Sequence, residues 1–142
     1  MITDTIYRNY VQILTEELIP AMGCTEPIAI AYAAAKAREV LGALPEKMTV
    51  EVSGNIIKNV KSVVVPHTGG LRGIVSAAAA GAVAGQADRE LEVISDVTDK
   101  QIEDIKNYLQ TAAIEVRHAE TPHIFDIMIT AQRGEDTSFV RI

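Results

Sequence analysis

Apolar residues recur at helical spacing in four parts of the chain. The first apolar face comprises Ile6, Tyr10, Ile13, Leu14 and Leu18. This spacing predicts an amphipathic helix near residues 4–18. Further helices are predicted over residues 26–41, 74–84 and 99–111.

The three later helices have recognisable end signals. Thr25 is a natural N-cap for the second helix, and Gly42 closes its far end. Gly85 ends the third helix, which consists almost entirely of small residues. Thr98 and Gln101 have the spacing of a capping box at the start of the fourth helix.

Strand patterns fill most of the remaining chain. Met48, Val50 and Val52 alternate with more polar residues, which predicts a strand over residues 48–52. Other strands are predicted near residues 62–65, 113–117, 124–131 and 138–142, whereas residues 56–61 fit either class. We therefore predict an α+β fold in one domain, with helices packed on a mixed β-sheet.

Composition excludes several classes of function. Of the 142 residues, 48% are hydrophobic and only 4% aromatic, so aliphatic side chains build the core. The net charge is -6 and the 13 basic residues form no cluster, which argues against nucleic-acid binding. We expect no membrane span, because no apolar run approaches the roughly 20 residues that a bilayer requires. The single cysteine excludes an intramolecular disulfide and fits a reducing, cytoplasmic location.

That cysteine, Cys24, directly precedes the predicted helix 26–41. A helix N-terminus favours thiolate, the form that binds metals or attacks substrates. Alternatively, Cys24 is a small buried apolar residue, or a redox-sensing thiol without a resolving cysteine. One thiolate cannot hold an iron–sulfur cluster, so any further ligands of a metal at Cys24 lie outside this chain.

Two polar segments are candidates for binding a small molecule. The first follows the strand 48–52 and contains Ser53, Asn55, Lys58 and Asn59, which offer amide groups and a cation. It also fits an ordinary turn in which glycine and asparagine adopt positive φ. The second segment is residues 67–73.

Residues 67–73 form a glycine-rich turn that leads into a helix. His67 supplies a titratable group, and Thr68, Gly69 and Gly70 bring main-chain N–H groups to a helix N-terminus, where anions such as carboxylates bind. The segment matches neither a P-loop nor a dinucleotide-binding fingerprint. The alternative is a turn that permits tight helix packing.

Three stretches together resemble one known family. They are GCTEPIAIA at 23–31, VSGNIIKNVKSVVVPHTGGLRGI at 52–74, and the alanine-rich helix that follows. The chain is similar to L-cysteine desulfidases, which are related to the α subunit of iron–sulfur L-serine dehydratases. The resemblance covers nearly the whole chain but only about the first third of a typical member.

The resemblance implies an iron–sulfur-dependent lyase. A 4Fe–4S cluster, and not pyridoxal phosphate, is the implied cofactor, with Cys24 as one ligand. The implied substrate is a small L-amino acid: L-cysteine and water would give pyruvate, sulfide and ammonia, and L-serine would give pyruvate and ammonia. The polar segments would then bind the substrate through Ser53, Asn55, Asn59, Thr68, Gly69 and Gly70. His67 and Lys58 are the candidates for the base that removes the α proton.

Two further expectations concern the extent and partners of the chain. It stops at Ile142 within a predicted strand, which favours the N-terminal domain of a longer protein whose catalytic portion lies elsewhere. A sheet edge left open there would also permit homo-oligomers. The alternative to a lyase is a non-catalytic domain that binds a small molecule or regulates a partner.

Overall fold

The protein is an α+β domain, described here from a computed structural model that covers residues 11–13 and 25–142. Helices lie against one face of a mixed sheet, which confirms the predicted fold class. In chain order the elements are β1 (Val11–Ile13), α1 (Thr25–Leu41), β2 (Lys47–Val52), α2 (Gly54–Val60), α3 (Gly73–Ala84), a 3-10 helix (Ala87–Glu92), α4 (Asp99–Thr111), β3 (Ala113–His118), β4 (Ile127–Arg133) and β5 (Asp136–Arg141).

The described strands form one sheet in the order β1-β5-β4-β2-β3. β2 is parallel to β3 and β5 is parallel to β1, whereas β4 is antiparallel to both of its neighbours. Val50 lies opposite Val116 on one side and Ile129 on the other. The side chains of Val50 and Ile129 are fully buried, so this face of the sheet packs against the helices.

The small residues of α3 allow an unusually close approach to α1. A Cβ atom built on Gly81 would lie 2.0 Å from the carbonyl oxygen of Ala31, and one built on Gly85 would lie 2.6 Å from Cβ of Ala35. Both contacts pair a residue of α1 with the residue 50 positions later, so the two helices run parallel. α3 is therefore buried along nearly its whole length.

The carboxyl ends of α1, α3 and α4 meet at one end of the molecule. The Arg38 guanidinium in α1 donates to the carbonyl oxygens of Ala82 (2.8 Å) and Val83 (3.0 Å) at the end of α3. The Tyr108 hydroxyl in α4 donates to the carbonyl of Pro45, at 2.7 Å. Within the described ranges, no helix combines the length and apolar character needed to cross a bilayer.

The structure corrects two of the predicted elements. Residues 62–65 do not join the sheet; Val64 forms only an isolated bridge with Arg72, because residues 61–73 fold back on themselves. The predicted helix 4–18 is wrong where it can be compared, since Val11–Ile13 is a strand. The rest of that predicted helix lies outside the described residues.

Other boundaries differ by a few residues. The ambiguous residues 56–61 are mostly helical and belong to α2. β4 begins at Ile127 and not at residue 124. Thr25 is the first residue of α1, one position later than an N-cap. The capping box of Thr98 and Gln101 is present as predicted, and Gly42 adopts a positive φ of 84° after α1.

Candidate functional site

The short helix α2 presents three of the predicted site residues on one face. Asn55, Lys58 and Asn59 occupy positions i, i+3 and i+4 and are exposed, whereas Ile56 and Val60 are fully buried on the opposite side. A helix completes one turn in 3.6 residues, so positions three and four apart lie on the same side, and the two amides and the ammonium group face the same solvent region. This face is the first component of the candidate site.

A hydrogen bond joins this face to the start of α1. Nδ2 of Asn59 donates to the Glu26 carboxylate, 3.2 Å from Oε1 and 3.4 Å from Oε2. Glu26 lies in the first turn of α1, two residues after Cys24 in the sequence. Cys24 itself lies outside the described residues. The amide of Asn59 thus lies beside the first turn of α1.

The start of α3 lies at the same end of the molecule. α1 and α3 are parallel and in a register offset by 50 residues, so Glu26 is level with Ser76 in the first turn of α3. At Gly73, where α3 begins, a Cβ atom would lie 3.3 Å from the carbonyl oxygen of Lys61, just after α2. The positive ends of the two helix dipoles therefore point towards the region beside α2.

The Ser53 hydroxyl is buried and bonded to the main chain, so it is not exposed for binding a ligand. Its side chain is 2% exposed, and its hydroxyl donates to the carbonyl of Ile124 at 2.7 Å. Its main-chain N–H donates to the carbonyl of Asp126 at 3.0 Å. Ser53 therefore ties the end of β2 to the loop that precedes β4, and a substrate would have to displace the Ile124 carbonyl to reach its hydroxyl.

Asp126 holds that same loop through a buried carboxylate. Arg141 donates two hydrogen bonds to it, from Nε at 3.0 Å and from Nη2 at 2.7 Å, and Thr121 donates a third at 2.9 Å. Burial alone would raise the pKa of Asp126, but these hydrogen bonds and the charge of Arg141 outweigh it, so the pKa is lowered. The carboxylate is ionised and fully engaged, which indicates a structural role.

His118 is a candidate that the sequence analysis did not assign. It ends β3, and its Nε2 lies 3.0 Å from the place where Gly54 would carry a Cβ atom. The imidazole therefore packs on the first residue of α2, next to Asn55. The position of His118 at the end of β3 could have indicated this, because residues at the carboxyl ends of neighbouring parallel strands, here β2 and β3, meet at one edge of the sheet. Using it required knowledge of the strand order.

The 67–70 turn packs against α4. His67 is exposed with a positive φ of 62°, while Thr68 is fully buried and donates to the carbonyl of Val65 at 2.7 Å. Gly69 lies against the side chain of Ile102 in α4. Among the described residues, no hydrogen bond connects this turn to α2. Of the predicted residues here, His67 and the two glycines are exposed and Thr68 is not.

The described residues do not form a metal site. In this part of the chain, no three His, Cys, Asp or Glu side chains come close enough to hold a metal ion. The sequence has a single cysteine, and a 4Fe–4S cluster takes three or four. These residues therefore do not fit a complete cluster, and the chain can supply at most one of its cysteine ligands.

The chain is similar to bacterial proteins called UPF0597 protein. It is 62% identical over 127 residues to one from Desulfitobacterium hafniense, an alignment covering 89% of this chain and 30% of that protein. The identity is 47% over 137 residues for one from Lachnoclostridium phytofermentans, which covers 96% and 33%. One from Treponema denticola is 46% identical over 136 residues, covering 96% and 32%.

The chain thus spans about a third of the length of these relatives. Their shared name states no activity, ligand or partner. It does not mention L-cysteine desulfidase or L-serine dehydratase, so the resemblance noted in the sequence remains a prediction. No family model and no solved structure matches the chain.

Proposed function

We propose that this chain forms the substrate-binding wall of an iron–sulfur lyase that removes the β-substituent of a small L-amino acid. L-cysteine and water would give pyruvate, sulfide and ammonia, and L-serine would give pyruvate and ammonia. The observation that carries the proposal is the hydrogen bond between Asn59 and Glu26. It connects two of the three stretches on which the family resemblance rests, residues 23–31 and 52–74.

The α2 face suits the ends of an amino acid. The Lys58 ammonium and the Asn55 amide are donors for a carboxylate, and the nearby helix N-termini add positive potential. Asn59 donates its N–H to Glu26, which orients its Oδ1 as an acceptor for the substrate ammonium group. A small amino-acid zwitterion would thus meet hydrogen-bond donors at its carboxylate and an acceptor at its ammonium group.

The proposed elimination also needs a base for the α proton. Lys58 lies on the α2 face, His118 packs against the first residue of α2, and His67 lies on the turn that packs against α4. His118 is the better placed imidazole, because it lies beside the start of α2. The unprotonated nitrogen of an imidazole can accept the α proton, so an imidazole suits the role of the base. We therefore propose His118 as the base to test first, ahead of Lys58 and His67.

The iron–sulfur part of the proposal depends on groups outside the described residues. A bound cluster with an open iron would supply a Lewis acid for the leaving group. Cys24 is the proposed ligand from this chain, and the other ligands would come from the remainder of a longer protein or from a partner chain. Such a cluster requires a reducing compartment, which agrees with a proposed cytoplasmic location.

The test uses the polypeptide encoded by the uninterrupted reading frame, purified without oxygen and supplied with iron and sulfide. Pyruvate is measured with L-cysteine and with L-serine, and sulfide with L-cysteine. We expect turnover of at least one substrate, lost together with bound iron in Cys24→Ala. Asn59→Ala should raise KM at least tenfold, because one oriented acceptor is removed. Asn107→Ala, an exposed asparagine on α4, is the matched control and should leave KM unchanged.

Two results would contradict the proposal. If neither amino acid yields pyruvate while iron is bound, the proposed lyase activity is wrong. If Cys24→Ala binds the same amount of iron, Cys24 is not a ligand and becomes an ordinary apolar residue. Binding of an amino acid without turnover, measured by calorimetry, would instead support the alternative of a non-catalytic binding domain.

A further inference from the structure

The outer edge of β3 carries main-chain groups without a partner among the described residues. β3 pairs with β2, and none of the described residues pairs with its other side. At its two ends, the N–H groups of Ala113 and Ala119 donate to the carbonyls of Glu46 and Val52 on the β2 side. Alternate residues of a strand direct their N–H and C=O groups to the same side.

It follows that the odd-numbered residues of β3 bond to β2 and the even-numbered ones face outward. Ile114, Val116 and His118 therefore direct to the sheet edge N–H and C=O groups that no described residue pairs with. The strand is regular over its six residues, so these groups lie in one row. A row of this kind is a template for another strand.

The charges on β3 restrict which strand fits. Glu115 and Arg117 lie on the face of the sheet opposite the helices and are 49% and 56% exposed. They form an ion pair at 2.8 Å, and within the sheet Arg117 lies opposite Glu51. A strand added at the edge would meet one negative and one positive side chain, spaced two residues apart.

We propose that the occupant is β3 of a second copy of this chain, paired antiparallel about a two-fold axis at Val116. The two Val116 residues then exchange hydrogen bonds, and Ile114 of each copy pairs with His118 of the other. In the closer, non-hydrogen-bonded positions, Glu115 of each copy lies opposite Arg117 of the other. The two sheets become one continuous sheet, with all helices on the same side.

The charge pattern selects this register. A slip of two residues in one direction would place Glu115 opposite Glu115 of the second copy. A slip in the other direction would place Arg117 opposite Arg117. Like charges directly opposite each other destabilise a strand pair, whereas the centred register makes two attractive pairs. The β3 sequence is thus self-complementary in one antiparallel alignment.

Sedimentation equilibrium over about 10 µM to 1 mM tests the proposal, since a single-strand interface lies at the weak end of protein association. We expect a reversible increase from 15.3 kDa towards twice that mass. Glu115→Arg and Arg117→Glu should each weaken the dimer at least tenfold. The double variant, which exchanges the two charges, should restore it to within about threefold, because both pairs are attractive again.

The two single variants change the net charge in opposite directions, so a common weakening cannot come from net charge. Thermal melts of each variant at low concentration show whether the monomer is folded. A wild-type chain that stays monomeric at 1 mM overturns the proposal. So does a dimer that forms equally well in all three variants, since the interface would then lie elsewhere.

Discussion

Substitution of Gly81 by alanine should separate the two central helices. A Cβ atom at this position would lie 2.0 Å from the carbonyl oxygen of Ala31, and 2.6 Å and 2.7 Å from its carbonyl carbon and Cα. All three atoms belong to the main chain of α1, which cannot rotate away as a side chain can. Contacts of real Cβ atoms are essentially never shorter than 3.0 Å. The helices must therefore move apart by about 1 Å near this residue.

The size of the effect follows from two opposing contributions. Replacing a glycine within a helix by alanine stabilises the helix by about 0.8–1 kcal/mol. Forcing an extra methyl group into a packed core costs about 1–3 kcal/mol, and a main-chain clash belongs at the upper end of that range. We expect a net loss of about 2 kcal/mol from the free energy of unfolding, which for a chain of this size lowers Tm by about 6 °C.

Urea unfolding followed by circular dichroism measures this loss. Gly54→Ala is the matched control, because it makes the same exchange in a helix, and its nearest neighbour would be Nε2 of His118 at 3.0 Å. That exposed imidazole can turn aside, so the control should not lower the free energy of unfolding and should raise it by up to about 1 kcal/mol, the gain of alanine over glycine in a helix. If Gly81→Ala is as stable as the wild type, the close approach of α1 and α3 is wrong.

Three further predictions concern single side chains. Thr98→Ala removes the capping box of α4 and should lower stability by about 1 kcal/mol, measured by urea unfolding. Because the pKa of Asp126 is lowered in the folded protein, its carboxylate stabilises the fold fully above about pH 4, the pKa of the unfolded state, and this stabilisation is lost as the pH falls through the folded pKa. Asp126→Asn should therefore make the free energy of unfolding less dependent on pH in this range, as measured by acid unfolding. Burial raises the pKa of Tyr108 to about 12, against an opposing effect of Arg38, so stability should decline as the pH rises from about 10 towards 12. A difference absorbance titration against Tyr108→Phe checks that value.

The sequence predicted the elements whose signals are local. The apolar periodicity of α4 and its capping pair lie within Thr98 and the 13 helical residues that follow it. In β2, buried and more exposed residues alternate along the strand. The run 62–65 has strand propensity but hydrogen-bonds within its own loop, because Gly73 brings the chain back so that its N–H reaches the Val63 carbonyl at 3.1 Å. Propensity does not reveal the partner of an apolar run, so this error was not avoidable from composition alone.

The candidate site was predictable only in part, for the same reason. Asn55, Lys58 and Asn59 were found because they are close in sequence, and helical spacing then placed them on one face. His118 was missed because strand order brings it to Gly54 from 64 positions along the chain. Ser53 looked like a free hydroxyl because its partner, the Ile124 carbonyl, is 71 residues away.

The packing of Gly81 against α1 also affects the geometry of the proposed site. The contact at Gly81 holds α1 and α3 parallel and sets their register, so it also sets the relative positions of the two helix starts. The first turn of α1 contains Glu26, and α3 starts at Gly73, beside the end of α2. A separation of the helices by about 1 Å at Gly81 would shift these two starts relative to each other, and misplacement on that scale can cost a catalyst up to about 100-fold. In the proposed lyase, Gly81→Ala should therefore reduce kcat even at temperatures where the variant is fully folded, whereas Thr98→Ala, which destabilises only α4, should not.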